Sequence, residues 1–230
     1  MALANLINPN VDSWEKSLPR KCLIDRDLSI LELCRGKRVL HLGAADAPMH
    51  QEKAERGELL HQKLTPICGE LLGIDSNAEA VEYLKSKHHI ENLVVVDLSK
   101  EKPLNLGHWD VVLCCDIIEH VENIDNLIEG CKLFMNKDSI LVLTTINAIS
   151  LKLAGRAFFS REAVHPDHIA YFSFSTLSRI VLNHSLVPIQ AGFFAYRCMS
   201  KLTELVFAAI YKYAPGTADG IILISKKKVV

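Results

Sequence analysis

One stretch, KRVLHLGAADAP at residues 37–48, decides the fold of this chain. Residues 37–42 predict a short apolar strand, a tight turn of very small residues follows, and residues 49–64, rich in Glu, Lys, Gln and Leu, predict a helix. A strand that turns abruptly into a helix over small residues brings bare backbone N–H groups close to a ligand. Because α/β sheets hold nucleotide-like cofactors in this way, the stretch predicts a cofactor-binding turn.

The rest of the chain alternates strands and helices. Further strands are predicted over 70–75, 92–97, 109–115 and 139–145, with helices over 78–87 and 124–135. The later part predicts helices over 148–159, 175–183 and 202–213 and terminal strands over 187–196 and 220–225. This alternation is typical of a doubly wound α/β sheet. We expect a Rossmann-like sheet of about seven strands, mostly parallel, with a C-terminal antiparallel β-hairpin.

One α/β domain is expected, because the chain has 230 residues and no repeat or low-complexity linker. Residues 1–36 predict a helical lead-in, since Leu28, Ile30 and Leu31 are spaced with helical periodicity. Residues 37–230 are predicted to form the main domain, with an insertion over about 147–175.

Composition narrows the function classes. The net charge of −1 lacks the clustered basic surface of nucleic-acid-binding proteins, and Lys226 to Lys228 predict a solvated tail. Seven cysteines without a C-x-x-C pair indicate reduced thiols, not a disulfide framework or a zinc knuckle. The N-terminus lacks a signal-peptide pattern, and no segment reaches the roughly 20 apolar residues of a membrane span. We expect a soluble, cytoplasmic protein, a monomer or homodimer, with no nucleic-acid partner.

Two cofactor classes compete for the turn. A dinucleotide site requires G-x-G-x-x-G, but this frame holds Gly43, Ala45 and Pro48, which disfavours a nicotinamide oxidoreductase. The other frame places a small residue at every second position, namely Gly43, Ala45 and Ala47. The predicted strands over 70–75 and 92–97 each end in an acid, Asp75 and Asp97, which suits a cofactor with a ribose and a base.

These features resemble the class I S-adenosylmethionine-dependent methyltransferases, whose first motif is (Asp/Glu)-x-Gly-x-Gly-x-Gly. The resemblance runs from about Lys37 to Lys226, and the stretches DIIEHV at 116–121 and HPDH at 165–168 are most similar to the ubiquinone-biosynthesis O-methyltransferase type. It implies S-adenosylmethionine as cofactor and S-adenosylhomocysteine as product. This sequence departs from the motif at His41, which replaces the acid, and at two alanines that replace glycines. Gly43 and Asp75 also lie 32 residues apart, more than the roughly 20 usual for such a unit.

The resemblance also implies roles for single residues. Gly43 leaves room for the methionine portion and the ribose, Asp75 accepts from both ribose hydroxyls, and Asp97 accepts from the adenine amino group. A lone acid at a strand end more often caps a turn, so the two acids together carry the assignment. The predicted cofactor-binding residues are Gly43, Ala44, Ala45, Asp46, Asp75, Ser76, Asp97, Leu98, Cys115 and Asp116.

Methyl transfer is an in-line displacement, so the protein mainly positions two reactants and helps a hydroxyl acceptor to lose its proton. The spacing of Asp116, Glu119 and His120 places them on one face of a helical turn. The predicted catalytic residues are His120, Glu119 and His168. The resemblance implies a divalent-metal site, for Mg or Zn, formed by Asp116, Glu119, His120 and His168, with His165 as an alternative last ligand. His120 as a metal-free general base and a turn-capping role for Glu119 and His120 stay open.

The sequence gives less specific signals for the site that binds the methyl acceptor, over about 147–175. Aromatic residues between Phe158 and Phe174 predict either an acceptor pocket or a packed core. Residues 201–213 predict a buried crossover helix or, if exposed, a peripheral membrane contact. The expected function is O-methylation of a small-molecule, saccharide or lipid-linked acceptor. The alternatives are a catalytically weak or regulatory S-adenosylmethionine-binding protein, a nicotinamide oxidoreductase and, against the charge, an RNA methyltransferase.

Overall fold

The structure is a computed structural model that describes residues 17–23, 25–98, 105–162, 164–196 and 200–228. The strands are β1 (Cys22–Leu23), β2 (Arg38–Leu42), β3 (Glu70–Asp75), β4 (Leu93–Val95), β5 (Trp109–Cys115), β6 (Met135–Ile146), β7 (Leu186–Phe194) and β8 (Gly220–Lys227). The helices are α1 (Arg26–Cys34), α2 (His50–Glu55), α3 (Leu60–Leu64), α4 (Ala78–His88), α5 (Ile124–Leu133), α6 (Leu151–Phe158), α7 (Phe174–Asn183) and α8 (Lys201–Tyr213).

The strands form one sheet in the order β1-β7-β8-β6-β5-β2-β3-β4. All neighbouring pairs are parallel except those of β8, which runs antiparallel to both β6 and β7. The predicted mixed, doubly wound sheet is therefore confirmed, with the two-residue β1 as an addition. The last two strands are antiparallel neighbours, but α8 joins them in place of a tight hairpin turn.

The central strands are buried on both faces, which explains why β5 is apolar after Asp110. On one face Leu40 and Val112 belong to a core that includes residues of α5 and α7. On the other face Val39 and Leu113 pack with residues of α1 and α3. In this three-layer arrangement, the carboxyl ends of β2, β3 and β5 lie side by side at one edge of the sheet.

The predicted helix over 49–64 is wrong. Two short helices, α2 and α3, replace it, because Gly57 adopts a left-handed conformation with φ of +65° and ends the first. The long interval between Gly43 and Asp75 therefore holds two helices and the turns that join them.

Residues 1–16 of the predicted lead-in lie outside the described residues. In the described part α1 agrees with the predicted periodicity, whereas β1 was not predicted. Because β1 pairs with β7, this part of the lead-in joins the main sheet. The domain boundary at residue 37 stays a prediction.

Among the described residues, the thiols of Cys34, Cys68, Cys114, Cys115 and Cys131 are in the free form, and Cys198 lies outside these residues. Within the described ranges, no helix has the length and apolar character needed to cross a membrane.

Candidate cofactor and catalytic site

The chain bends sharply at Gly43, directly after β2. Gly43 has φ of +68°, a conformation that side chains disfavour, and a Cβ there would lie 2.9 Å from Cδ1 of Ile117. The Gly43 N–H donates to the carbonyl oxygen of Ile74 at 2.8 Å, which fixes the bend to the end of β3. The backbone conformation therefore favours glycine, and a larger residue would also have to displace the tip of the Ile117 side chain.

Asp75 connects this bend to the end of β3. Its Oδ2 accepts from the Ala45 N–H at 2.9 Å, and its Oδ1 accepts from the Asn77 N–H at 2.9 Å. Each carboxylate oxygen has a second acceptor position, so Asp75 can hold the bend and still accept from ligand hydroxyls.

A cleft opens beside the bend at the carboxyl edge of the sheet. Five of the predicted cofactor residues line it, Gly43, Asp75, Ser76, Asp97 and Leu98. Its remaining walls are the apolar residues Leu42, Ile74, Val96, Ile117, Val121 and Leu127. An apolar crevice with acids at its rim suits a flat base attached to a sugar.

The other predicted cofactor residues lie around the cleft. Ala44 and Ala45 are buried beneath the bend, so the Ala45 backbone, rather than its side chain, reaches toward Asp75. Asp46 forms an ion pair with Lys53 of α2. Cys115 and Asp116 do not line the cleft, since they lie near α1.

Arg26, the first residue of α1, holds Asp116 and was not among the predicted site residues. Its guanidinium forms ion pairs with Asp116 and, at 2.9 Å, with Asp27. Burial alone would lower the pKa of Arg26, but Asp116, Cys115 and Asp27 outweigh it and raise that pKa further. A cation at a helix N-terminus opposes the helix dipole. An arginine at the start of a helix was therefore the signal in the sequence that an anion lies nearby.

His41 lies where the resembling family has an acid, and it is buried against α3. Its Nδ1 lies 3.3 Å from Nδ1 of His61, and Nε2 of His61 lies 3.3 Å from Oδ1 of Asn92. The Asn92 amide donates to the Leu71 carbonyl, so its Oδ1 must accept from His61, and His61 Nδ1 must in turn accept from His41. Burial lowers the pKa of both imidazoles, that of His61 to about 4. The pair is neutral and gives the cleft no negative charge.

Glu119 is almost fully buried, 1% exposed, behind the end of β5. Neither carboxylate oxygen has a hydrogen-bond partner among the residues that the structure describes. Burial, with a smaller contribution from Asp116, raises the pKa of Glu119 to about 7. Its backbone oxygen accepts from the Ile169 N–H at 2.9 Å, which holds the loop between α6 and α7 against the turn after β5.

That loop brings His165 and His168 to His120. The ring centroids of His120 and His168 are 4.6 Å apart, and one ring nitrogen from each of the three histidines lies within 4.8 Å of the others. His120 Nδ1 donates to the Asp167 carbonyl oxygen at 3.1 Å, which leaves Nε2 as a proton acceptor. Burial and the neighbouring histidines lower the pKa of His168, so its ring stays neutral.

The structure does not bring the four predicted metal ligands together. Asp116 is held by Arg26 and accepts from Thr144 Oγ1 at 2.9 Å, so a guanidinium takes the place that a cation would have. Neither Asp116 nor Glu119 joins the histidine cluster, and His165 does. The residues present therefore do not fit the predicted carboxylate-rich site, although His120 and His168 are neighbours as expected.

The predicted acceptor segment divides into two parts. Phe172 and Phe174 are buried in the core, whereas Phe158 and Phe159 are exposed. A groove of about 1090 Å³ runs between α6 and α8, from Ile146 at the end of β6 past Tyr196.

Of the two predictions for residues 201–213, that of a buried crossover helix is wrong. Among the residues of α8, Tyr211 alone is buried.

Comparison with known proteins agrees with this geometry. A family model described as a methyltransferase domain matches residues 18–190. The ubiquinone biosynthesis O-methyltransferase of Haemophilus ducreyi is 30% identical over 121 residues, covering 49% of this chain and 46% of that protein. The protein of the same name from Burkholderia pseudomallei is 24% identical over 181 residues, covering 72% and 71%. The solved magnesium protoporphyrin IX methyltransferase of Synechocystis PCC 6803, with bound SAH, has a TM-score of 0.55 at 14% identity, covering 88% and 82%.

These matches differ in what they show. The chain spans about half the length of the Haemophilus relative, and the likeness to the solved structure concerns the fold alone. The family model covers most of the chain and includes Gly43, Asp75, Asp97 and His120. The resemblance seen in the sequence is confirmed, and the chain belongs to the methyltransferase domain family.

Proposed function

We propose that this domain transfers the methyl group of S-adenosylmethionine to a hydroxyl oxygen and releases S-adenosylhomocysteine. The observation that carries the proposal is the meeting of Gly43, Asp75 and Asp97 in one cleft at the carboxyl edge of the sheet. The names of the O-methyltransferase relatives support oxygen as the accepting atom. The acceptor class is a small molecule, saccharide or lipid-linked intermediate.

The cofactor would lie across the bend. Asp75 accepts from the ribose hydroxyls, and Leu98 packs against the adenine beside Asp97. Three of the five guanidinium N–H groups of Arg26 already bind Asp27 and Asp116, so two remain for the methionine carboxylate. Arg26 thereby extends the predicted site from the ribose to the amino-acid end of the cofactor.

The proposed chemistry uses the histidine loop. The Nε2 lone pair of His120 takes the hydroxyl proton while the acceptor oxygen attacks the methyl carbon. A C–O bond forms, the C–S bond breaks with its electrons on sulfur, and the sulfonium becomes a neutral thioether. We assign no step to Glu119, because its buried carboxylate hydrogen-bonds to none of the three histidines. No step runs through a metal, because the predicted ligands do not come together.

The first test measures S-adenosylhomocysteine binding by calorimetry and S-adenosylhomocysteine release with a panel of phenols, catechols and sugars. His120→Ala should lower turnover by about 100-fold or more, the usual contribution of a general base, with cofactor affinity unchanged. The matched control His89→Ala removes an exposed imidazole at the C-terminal end of α4 and should retain turnover. Equal loss in both variants would contradict the role of His120.

A regulatory or catalytically weak protein is the second candidate. Ile117 packs directly against Gly43 in the cleft, and the buried imidazole of His41 replaces the acid of the motif. Cofactor binding with no turnover on any acceptor would favour this candidate. Binding of NADH in place of S-adenosylhomocysteine would overturn both.

A further inference from the structure

The apolar side chains of α6 and α8 are left uncovered by the rest of the described molecule. α6 buries none of its residues, and Phe158 and the adjoining Phe159 are 83% and 74% exposed. On α8, Leu202 and Leu205 are 73% and 72% exposed. Scattered apolar residues on a surface are ordinary, but a continuous exposed group marks an interaction site.

The two helices are held beside each other. Lys152 of α6 lies 5.1 Å from the ring centroid of Phe207 of α8. Asp219, which is nearly buried, accepts from Lys152 Nζ at 2.6 Å and from the Tyr211 hydroxyl at 3.2 Å. Of the exposed residues, Leu151 and Phe159 line the groove between the two helices, and the others lie on the same helices without lining it. We call this surface the α6–α8 platform; it comprises Leu151, Phe158, Phe159, Leu202, Leu205 and Val206.

Cations outnumber acids around the platform. Arg156 and Arg161 line the groove together with Lys152, and α8 adds Lys201 and Lys212. The acids in these two segments are Glu162 and Glu204, although the whole chain has a net charge of −1. Asp219 also lines the groove and pairs with Lys152, so Arg156 and Arg161 leave the groove with a net positive charge beside the exposed apolar residues.

We propose that the α6–α8 platform docks on the surface of an anionic phospholipid bilayer. Apolar helix faces flanked by Lys and Arg bind such surfaces by burying side chains at the acyl boundary while the cations pair with headgroups. Helices of 8 and 13 residues lie on a bilayer and do not cross it. A second copy of the chain fits less well, because a two-fold contact through this face would bring the cations of both copies together.

The experiment is vesicle flotation with phosphatidylcholine alone and with phosphatidylcholine mixed with phosphatidylglycerol. The protein should float with the mixed vesicles, and binding should weaken as salt screens the cations. Replacing Phe158 and Phe159 by Ser should reduce binding at least about tenfold, since each ring loses its burial. Arg156→Gln and Arg161→Gln should each reduce binding to mixed vesicles roughly fivefold.

Leu133→Ser is the matched control, because Leu133 is 58% exposed but lies on α5, away from the platform. Each variant is checked for S-adenosylhomocysteine affinity, which reports folding without turnover and keeps this test separate from the proposed function. Absence of vesicle binding, or equal binding by the Phe158 and Phe159 variant, would overturn the proposal. A dimer in solution that the same substitutions dissociate would overturn it in favour of self-association.

Discussion

Asp75 accepts two backbone N–H groups that belong to different turns, one from Ala45 and one from Asn77. Asp75→Asn keeps the shape of the side chain but removes its charge and one acceptor. We expect the affinity for S-adenosylhomocysteine to fall by about 1–3 kcal/mol, the cost of hydrogen bonds to a charged group left unmade. Calorimetric titration measures this loss.

The control for this prediction is Asp110→Asn. Asp110 also accepts a backbone N–H, that of Arg38, but lies at the opposite end of β5 from the cleft. An equal loss of affinity in both variants would show that Asp75 acts through the stability of the fold, and unchanged affinity in Asp75→Asn would refute the ribose assignment.

The His41–His61 pair makes stability depend on pH. Both histidines have a lower pKa in the folded state than the ordinary value of about 6.5, so below pH 6.5 the unfolded chain binds more protons. The contribution of the two histidines to the stability of the fold is therefore complete above pH 6.5, and it is lost as the pH falls toward about 4. For His61 alone the loss between pH 7 and pH 5 is about 2 kcal/mol.

Glu119 gives the stability of the fold the opposite pH dependence. Its folded pKa of about 7 is raised by burial, so the fold gains stability from it as the pH falls. The measurement is therefore a comparison of wild type with His61→Gln by urea unfolding at both pH values. Wild type should lose about 2 kcal/mol more than the variant. The same difference in His108→Gln, which alters an exposed histidine, would contradict the assignment to the buried pair.

At the scale of elements, Asp219 joins α6, α8 and the end of β7. It accepts from Lys152, from the Tyr211 hydroxyl and, at 2.9 Å, from the Tyr196 N–H. Asp219→Asn should lower the free energy of unfolding by about 1–3 kcal/mol, because the partly buried Lys152 loses its counter-charge. It should also speed tryptic cleavage at Arg156, since α6 has no other burial to hold it.

Urea unfolding and timed proteolysis measure these two effects. Asp138→Asn, at an exposed position of β6, should leave both unchanged. Slower cleavage in Asp219→Asn would show that Asp219 does not hold α6 in place.

Secondary-structure elements whose apolar residues recur with a clear period could be predicted from the sequence. Elements whose position depends on tertiary contacts could not. The strand before Gly43 and the alternation after it follow from local patterns, so β2, β3 and β5 were predicted closely. Gly57 interrupts a pattern that otherwise favours one helix, and a two-residue strand such as β1 leaves no periodic signal. The amphipathic pattern of α8 is the same whether its apolar face is covered or exposed, so its exposure could not be read from spacing.

The candidate site divides in the same way. Acids at strand ends are visible in sequence, and this is why Asp75 and Asp97 were found. The pairing of Arg26 with Asp116 joins residues 90 positions apart, and only the fold brings them together. The inclusion of His165 in the histidine cluster depends on the Glu119 backbone holding the loop, which no side-chain pattern reports.

For the whole molecule, cofactor binding should appear as thermal stabilisation. A ligand that binds only the folded state at about 100 times its Kd contributes about 2.7 kcal/mol. For a domain of this size that corresponds to a rise in Tm of roughly 5–10 °C. Differential scanning fluorimetry should show this rise with S-adenosylhomocysteine and none with NADH, and a reversed pattern would refute the cofactor assignment.

Strand β8 is the last in sequence order of the eight strands in the described part of the chain, yet it lies between β6 and β7. The β1–β7 pair reaches the remainder of the sheet through β8 alone. A nascent chain leaving the ribosome therefore carries two separate pieces of sheet until Gly220–Lys227 has emerged. Co-translational assembly of this domain is completed by its final strand, so premature termination before residue 220 leaves both the β6 and β7 edges open to aggregation.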